Sequence, residues 1–316
     1  MDGANDPVAW ATGRGNQARR QPVTTRLRVA QGTYATLVEF LRLCDRGGPN
    51  CAFSQGDPRR RYARLAERLL AEPAQLPDGQ GGTVPFTYAD LVSTTLEAMY
   101  DPSSWPRLAE FLQQLDTLTR PQATAAALQA LRTRVGLFQQ QDYPNSIEGP
   151  RSVSCSDSDN PANIGAWKRA ADVSDRRYPY FGRLWTWLSS ICLPWPGRDA
   201  DRYTGPFRAR TANPVLIVGN RFDPGTPYQG AVTLARLLPR SRLLTLDGWG
   251  HTSWGKSSCI TAHESRYLLT TQVPPRGTVC QPDIVPFAQP AAALVVNGLA
   301  ERALAAPPVL GRSSSG

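Results

Sequence analysis

The feature that most restricts what this chain can fold into lies between residues 214 and 270. Val215-Leu216-Ile217-Val218 is a short apolar run that stops at Gly219-Asn220. Such a run, apolar on both faces and ended by turn residues, reads as a strand of a covered parallel sheet. Thr226-Pro227 then caps a helix to about Leu238, Arg242–Leu246 forms a second strand ending at Asp247-Gly248, and Ile260–Thr270 is a further helix. Strand, helix, strand and helix at this spacing make a βαβ unit, and hence an α/β region with parallel strands.

The chain upstream has a different period. Gln31–Leu43 carries apolar residues at helical spacing. Asp57-Pro58 places an N-cap before a proline at the first helical position and predicts a helix to about Leu70. Tyr88–Met99, Trp105–Leu118, Pro121–Phe138, Ile164–Val173 and the aromatic stretch Tyr180–Ile191 read as further helices, while Gln139–Pro161, rich in Ser, Asp, Asn and Pro, reads as a loop. The expected organisation is a strand end at 1–7, a helical region at 8–205, an α/β region at 206–282 and an Ala/Pro-rich tail at 283–316.

Asp223 directly follows the first strand, and His251 follows the second in Asp247-Gly248-Trp249-Gly250-His251. Loops at the carboxyl ends of parallel strands are where open α/β sheets place their sites. Adjacent strands thus present a carboxylate and an imidazole on one rim. The carboxylate can fix the imidazole tautomer while the second ring nitrogen takes a proton from a nucleophile. Taken singly, Asp223 is also a natural turn residue before Pro-Gly and His251 a natural loop residue. Their order and spacing favour the catalytic pairing. His263, the other histidine, falls inside the last helix and is expected to be structural.

Four segments carry a resemblance to a known family. They are Pro214–Tyr228, with Asp223 within it; Leu246–His251; Ser258-Cys259; and Pro275–Cys280. Together they resemble the C-terminal domain of the actinobacterial tripeptidyl-aminopeptidase family, a branch of the proline-iminopeptidase-like serine peptidases. The resemblance implies an α/β-hydrolase fold, Asp223 as triad acid, His251 as triad base, and a Cys259–Cys280 disulfide behind the histidine. It makes 8–205 similar to the helical lid of such enzymes, with Cys155-Ser156-Asp157 as a landmark, and it implies secretion and the release of short peptides from the amino end of substrates.

One part of the family pattern is missing. The nucleophile sits in a G-x-S-x-G elbow, and no G-x-S-x-G occurs in these 316 residues. The expectation is a partial α/β-hydrolase fold: C-terminal strands and helices plus the lid, with Asp2-Gly3 at the end of a core strand. The serine and oxyanion loop would lie in an upstream segment or a separate chain. The strand at 215–218 would then have one open edge, and the helical region would fold better than the sheet remnant. The competing expectation is an inactive fragment or pseudoenzyme that at most binds peptide or a partner chain. For the ammonium of a peptide substrate the candidate carboxylates are Glu148, Asp157 and Asp159. Each is equally a solvated loop residue. The aromatic run Tyr178, Tyr180, Phe181, Trp185 and Trp187 lines either a pocket or the lid core.

Composition closes off other classes. The formal net charge is +9, and 33 of the 35 basic residues are arginine, spread along the chain. That spread argues against nucleic acid, which needs a clustered basic face; strong heparin retention that weakens with salt would restore that reading. With two histidines and no C-x-x-C, neither a metal nor another cofactor is expected. The six cysteines fall as near neighbours, Cys44 and Cys51, Cys155 and Cys192, Cys259 and Cys280, which reads as three local disulfides, although other connectivities are open. Disulfides imply an oxidising compartment, yet residues 1–7 have no signal-peptide pattern. No apolar stretch reaches the length of about 18 residues that a membrane span needs.

Overall fold

The computed structural model describes residues 1–77, 82–120 and 148–288. The expected helix Pro121–Phe138 and the tail from residue 289 onward lie outside the described residues. Three short helices, α1 (Pro7–Ala11), α2 (Gln17–Arg20) and α3 (Val23–Arg26), lead into the long α4 (Val29–Gly47). Then come α5 (Pro58–Ala71), strands β1 (Ala74–Pro77) and β2 (Thr83–Phe86), α6 (Tyr88–Tyr100), α7 (Trp105–Leu118), α8 (Glu148–Asp157), α9 (Ile164–Arg177) and α10 (Phe181–Leu188). The remainder runs β3 (Val215–Phe222), α11 (Tyr228–Leu237), β4 (Ser241–Trp249), α12 (Ser258–Thr270) and β5 (Val279–Cys280).

Local chemistry accounts for many of these boundaries. The Asp57 carboxylate accepts the Arg60 amide at 3.0 Å and starts α5 at Pro58. Thr87 and Asp90 form a reciprocal capping box at the head of α6. Some elements differ from the sequence-based expectation. Glu148–Asp157 is helical where a loop was expected, because Cys155 is tied to Cys192 and the segment has a platform to pack on. The antiparallel pair β1–β2 was not anticipated, since each strand is four residues long and carries a proline.

The helices from α4 to α7, with α10, share one apolar cluster. Leu37, Phe40, Phe53, Tyr62, Leu65, Leu91, Trp105 and Leu112 are each at most 1% exposed within it. Trp105 meets Phe40 edge-on, with ring centroids 5.5 Å apart, and donates its indole N–H to Ala98 O at 3.0 Å. Of the aromatic run, Phe181 is in this core and Tyr178, Tyr180 and Trp185 pack against it. Beneath the cluster, Asp116 receives Arg61, Arg68 and Arg120 at 2.7, 2.5 and 2.6 Å.

The sheet is parallel throughout, in the order β3-β4-β5. Alternation along β3 sends Leu216 and Val218 towards Ile260 of α12 and Ile217 towards Ala231 and Leu234 of α11, so both faces are covered. The free side of β3 was expected to be an open edge. Instead Asp2 forms a parallel bridge with Val218, the Met1 ammonium donates to Leu216 O and the Val218 amide donates to Met1 O, each at 2.8 Å. The extreme N-terminus therefore takes part of the ladder that β3 would otherwise leave unpaired.

Three disulfides join Cys44 to Cys51, Cys155 to Cys192 and Cys259 to Cys280. The last ties the head of α12 to β5, on the far strand of the sheet. His263 lies beside this bond, and both of its sulfur neighbours are committed to the disulfide. No described helix is long and apolar enough to cross a membrane.

Candidate active site

Asp223 is the first residue after β3, and its side chain is 1% exposed. Its Oδ1 accepts the amides of Gly225 and Thr226 at 2.8 and 2.7 Å, closing an Asx turn. Its Oδ2 accepts the Thr226 hydroxyl at 2.9 Å and the Thr252 amide at 3.2 Å. Both carboxylate oxygens also face His251 Nδ1, at 3.1 and 3.2 Å. Asp223 is thus the turn residue and the histidine's partner together. These donors hold the buried carboxylate in one orientation.

His251 follows β4 and is 34% exposed at its side chain. With Nδ1 turned to Asp223, the Nε2 edge has no hydrogen-bond partner among the described residues. No described serine hydroxyl is bonded to it. The arrangement pairs a buried carboxylate with an imidazole whose second ring nitrogen is unpartnered among the described residues, a geometry that suits proton transfer to and from that nitrogen.

The loop carrying His251 is fixed by residues from three other parts of the chain and by Lys256 of the loop itself. Asn220, on β3, donates to Gly250 O at 2.8 Å and to Thr252 O at 2.6 Å. Asp2 accepts the Ser253 amide at 2.7 Å, the Ser253 hydroxyl at 2.8 Å and the Trp254 amide at 3.2 Å. Tyr100, the last residue of α6, accepts the His251 amide at 2.9 Å, and its ring stands edge-on to the imidazole at 5.2 Å. The Lys256 ammonium donates to the carbonyls of Tyr100, His251 and Thr252, using all three of its protons. Burial lowers the Lys256 pKa, opposed by Asp223, Asp101 and Asp2. Burial also pushes the Tyr100 phenol up to about 12, with Asp223 adding to the shift.

Two glycines let these parts meet. Gly250 has φ +91°, and a Cβ there would stand 2.8 Å from Tyr100 O. On α4, a Cβ at Gly32 would stand 2.6 Å from Asp223 O. The next residue is Thr33, whose hydroxyl receives the Trp185 indole N–H at 2.8 Å and donates to Pro224 O at 2.7 Å. The Asp223 turn is thereby braced against the helical region.

The other candidate residues are placed elsewhere. Asp159 is paired with Arg198 and Arg202, each at 2.6 Å, so its carboxylate is already neutralised. Asp157 ends α8, is partly buried and has no hydrogen-bond or ion-pair partner among the described residues. Glu148 begins the same helix. Asn220, Tyr100, Lys256 and Asp2 were not read from sequence as site residues. The one usable signal was Asn220, a polar residue at the tip of an apolar strand.

Comparison with known proteins covers the same part of the chain. Residues 178–280, which include both β3 and the His251 loop, match the family model described as TAP-like protein. Over this region the chain resembles the TAP-like α/β-hydrolases. Carboxylesterase B of Mycobacterium tuberculosis is 27% identical over 289 residues, covering 89% of this chain and 51% of that protein. Tripeptidyl aminopeptidase of Streptomyces lividans is 29% identical over 242 residues, covering 75% and 43%. The serine protease Hip1 of M. tuberculosis is 27% identical over 301 residues, covering 89% and 52%. The chain spans about half the length of the curated relatives it matches. The names of these relatives, an esterase, an aminopeptidase and a protease, all denote hydrolases.

Proposed function

We propose that Asp223 and His251 are the acid and base of a hydrolytic triad that releases short peptides from the amino end of a substrate, or cleaves a related ester or amide. The observation that carries this reading is the buried Asp223 carboxylate against Nδ1 of a partly exposed imidazole whose Nε2 is unpartnered. The relatives named as aminopeptidase, protease and carboxylesterase support it. On this reading residues 8–205 form a lid, 206–282 the hydrolase portion and 283–316 a tail. Asp157 is the free carboxylate available to a substrate ammonium, whereas Asp159 is neutralised by its two arginines. The three disulfides support an oxidising compartment.

The sequence contains no G-x-S-x-G, so the proposal takes the serine and its oxyanion hole from a hydrolase segment outside this sequence. The test is fluorophosphonate labelling of the folded chain, alone and joined to the portion of the S. lividans relative that this chain does not match, each beside a His251→Ala control. The expected result is labelling of the joined protein that the control abolishes. A folded joined protein that never labels, or labels equally without His251, overturns the triad and leaves a binding protein that retains the hydrolase scaffold.

A further inference from the structure

A cavity of about 570 Å³ lies away from the Asp223–His251 pair, between α3, the head of α4, the end of α9 and the head of α11. Its charged lining is four arginines and one aspartate, and that aspartate, Asp6, is already bonded to Arg14 at 3.0 Å. Arg26, Arg28 and Arg177 are left without a carboxylate partner among the described residues. Exposed arginines of this kind are common. A buried one is not, and Arg26 is 6% exposed.

The Arg26 guanidinium donates to the carbonyls of Ala9, Gln21 and Trp10 at 2.8, 2.8 and 3.1 Å, which uses three of its five N–H groups. Those carbonyls orient the group without neutralising it. Burial brings its pKa down to about 10, against the opposing pull of Asp159. An uncompensated buried cation is costly, and an anionic ligand in the cavity would remove much of that cost.

Two further features face the same space. Helix α4 begins here with no side-chain cap, and its N-cap residue, Arg28, is held in the left-handed region at φ 61°. A non-glycine residue kept there is strained, and such strain concentrates at ligand sites. The positive end of this 19-residue helix adds to the field of the arginines. The Thr25 hydroxyl on the cavity wall is buried and has no hydrogen-bond partner among the described residues. Leu27, Val173, Tyr178 and Trp185 add apolar surface to the lining.

We propose that this cavity binds an organic oxyanion, a carboxylate or phosphate ester with an apolar body, whose anionic end sits between Arg26, Arg28 and Arg177 at the head of α4. The site is separate from the hydrolytic pair, and its occupation does not depend on a nucleophile.

Calorimetric titration of the full chain tests it at constant ionic strength, with phenyl phosphate, N-acetylphenylalanine and the uncharged N-acetylphenylalaninamide as probes. Arg28→Asn tolerates the left-handed backbone, and Arg177→Gln removes an exposed charge, so neither variant disturbs the carbonyl contacts of Arg26. Saturable binding of either anion but not of the amide is expected, weakened about tenfold by each substitution, as for loss of one charge-assisted contact. Whichever anion binds more tightly identifies the source of the oxyanion. Absence of saturable binding by both anions, or binding indifferent to both substitutions, overturns the site.

Discussion

The helical region and the sheet region are held together in different ways. The first is organised around large buried aromatics such as Trp105, Phe40, Tyr62 and Phe181. The sheet region has two small aliphatic clusters, one on each face of β3, and its functional loop is fixed by side chains bonded to the main chain: Asn220, Asp2 and Lys256. Apolar packing is non-directional and supplies stability in bulk. Hydrogen bonds add little net stability but set positions to fractions of an ångström. The difference teaches that stability and site geometry here reside in separate places, joined through Tyr100, Gly32 and Thr33. Damage to one should be measurable without equal damage to the other.

The largest break is expected at Trp105. Trp105→Ala removes a fully buried indole together with its contacts to Phe40 and Trp249. Unfolding in urea should show a loss of about 3–5 kcal/mol. A loss below about 1 kcal/mol would mean that the helical cluster is not the main source of stability.

Asp116 comes next, because its side chain is 3% exposed and three arginines converge on it. Asp116→Asn leaves those charges without an acceptor anion. Since Arg120 is largely exposed and can turn to water, the loss should fall near about 3 kcal/mol. The wild-type pH dependence has a definite sign. Burial alone would raise the Asp116 pKa, but the bonds from Arg61, Arg120 and Arg68 outweigh it, and the folded value lies below the ordinary one. The group's stabilisation is therefore complete above about pH 5 and is lost as the pH falls through the unfolded value near 4 towards the lower folded one. Thermal melts from pH 6 to pH 2 should show a steeper loss in the wild type than in Asp116→Asn. Parallel curves would refute the linkage.

A third change separates geometry from stability. Lys256→Met removes an ammonium that binds three carbonyls around His251. Global unfolding should shift by only about 1–2 kcal/mol, while amide exchange at His251 and Thr252 speeds up at least about tenfold through local opening. Lys256→Arg should recover part of the protection by retaining the charge and donors. Equal acceleration at amides of α5 and α7 would show that Lys256 is merely part of the general scaffold.

These contrasts also explain what could be read from the sequence. Helices α5, α6 and α7 were legible because their starts depend on neighbours a few residues away, as with Asp57-Pro58. Strands β3 and β4 were legible as apolar runs. Their full extents were not, since β3 continues through Gly219 and Asn220 to Phe222 across a register shift. The local disulfide pairing agreed with the spacing of the cysteines. Asp223 and His251 stood out because each lies within two residues of the end of a strand. Tyr100, Lys256 and Asp2 did not, because their roles arise from contacts across long separations: Tyr100 meets Lys256 156 residues away, and Asp2 meets Ser253 251 residues away. No local pattern encodes such a contact. Helix α8 was obscured by Gly149-Pro150 and a serine-rich composition that mimic a loop.

The smallest effect sharpens the comparison from the surface. Arg221 and Asp247 sit near the carboxyl ends of β3 and β4 and form an ion pair at 2.7 Å, with 45% and 41% of their side chains exposed. They lie two to four residues from Asp223 and His251, so proximity alone would suggest a role in holding the rim. Exposure argues otherwise: water screens the pair, and ordering two long side chains costs about what their attraction returns. Arg221→Ala should therefore change unfolding by less than about 1 kcal/mol and leave amide exchange at His251 unaltered. If exchange at His251 rises as it does in Lys256→Met, the rim is tensioned by surface charge as well as by buried donors. If it stays unchanged, the positioning of the imidazole belongs to the buried network alone, and distance along the chain is a poor guide to what holds it.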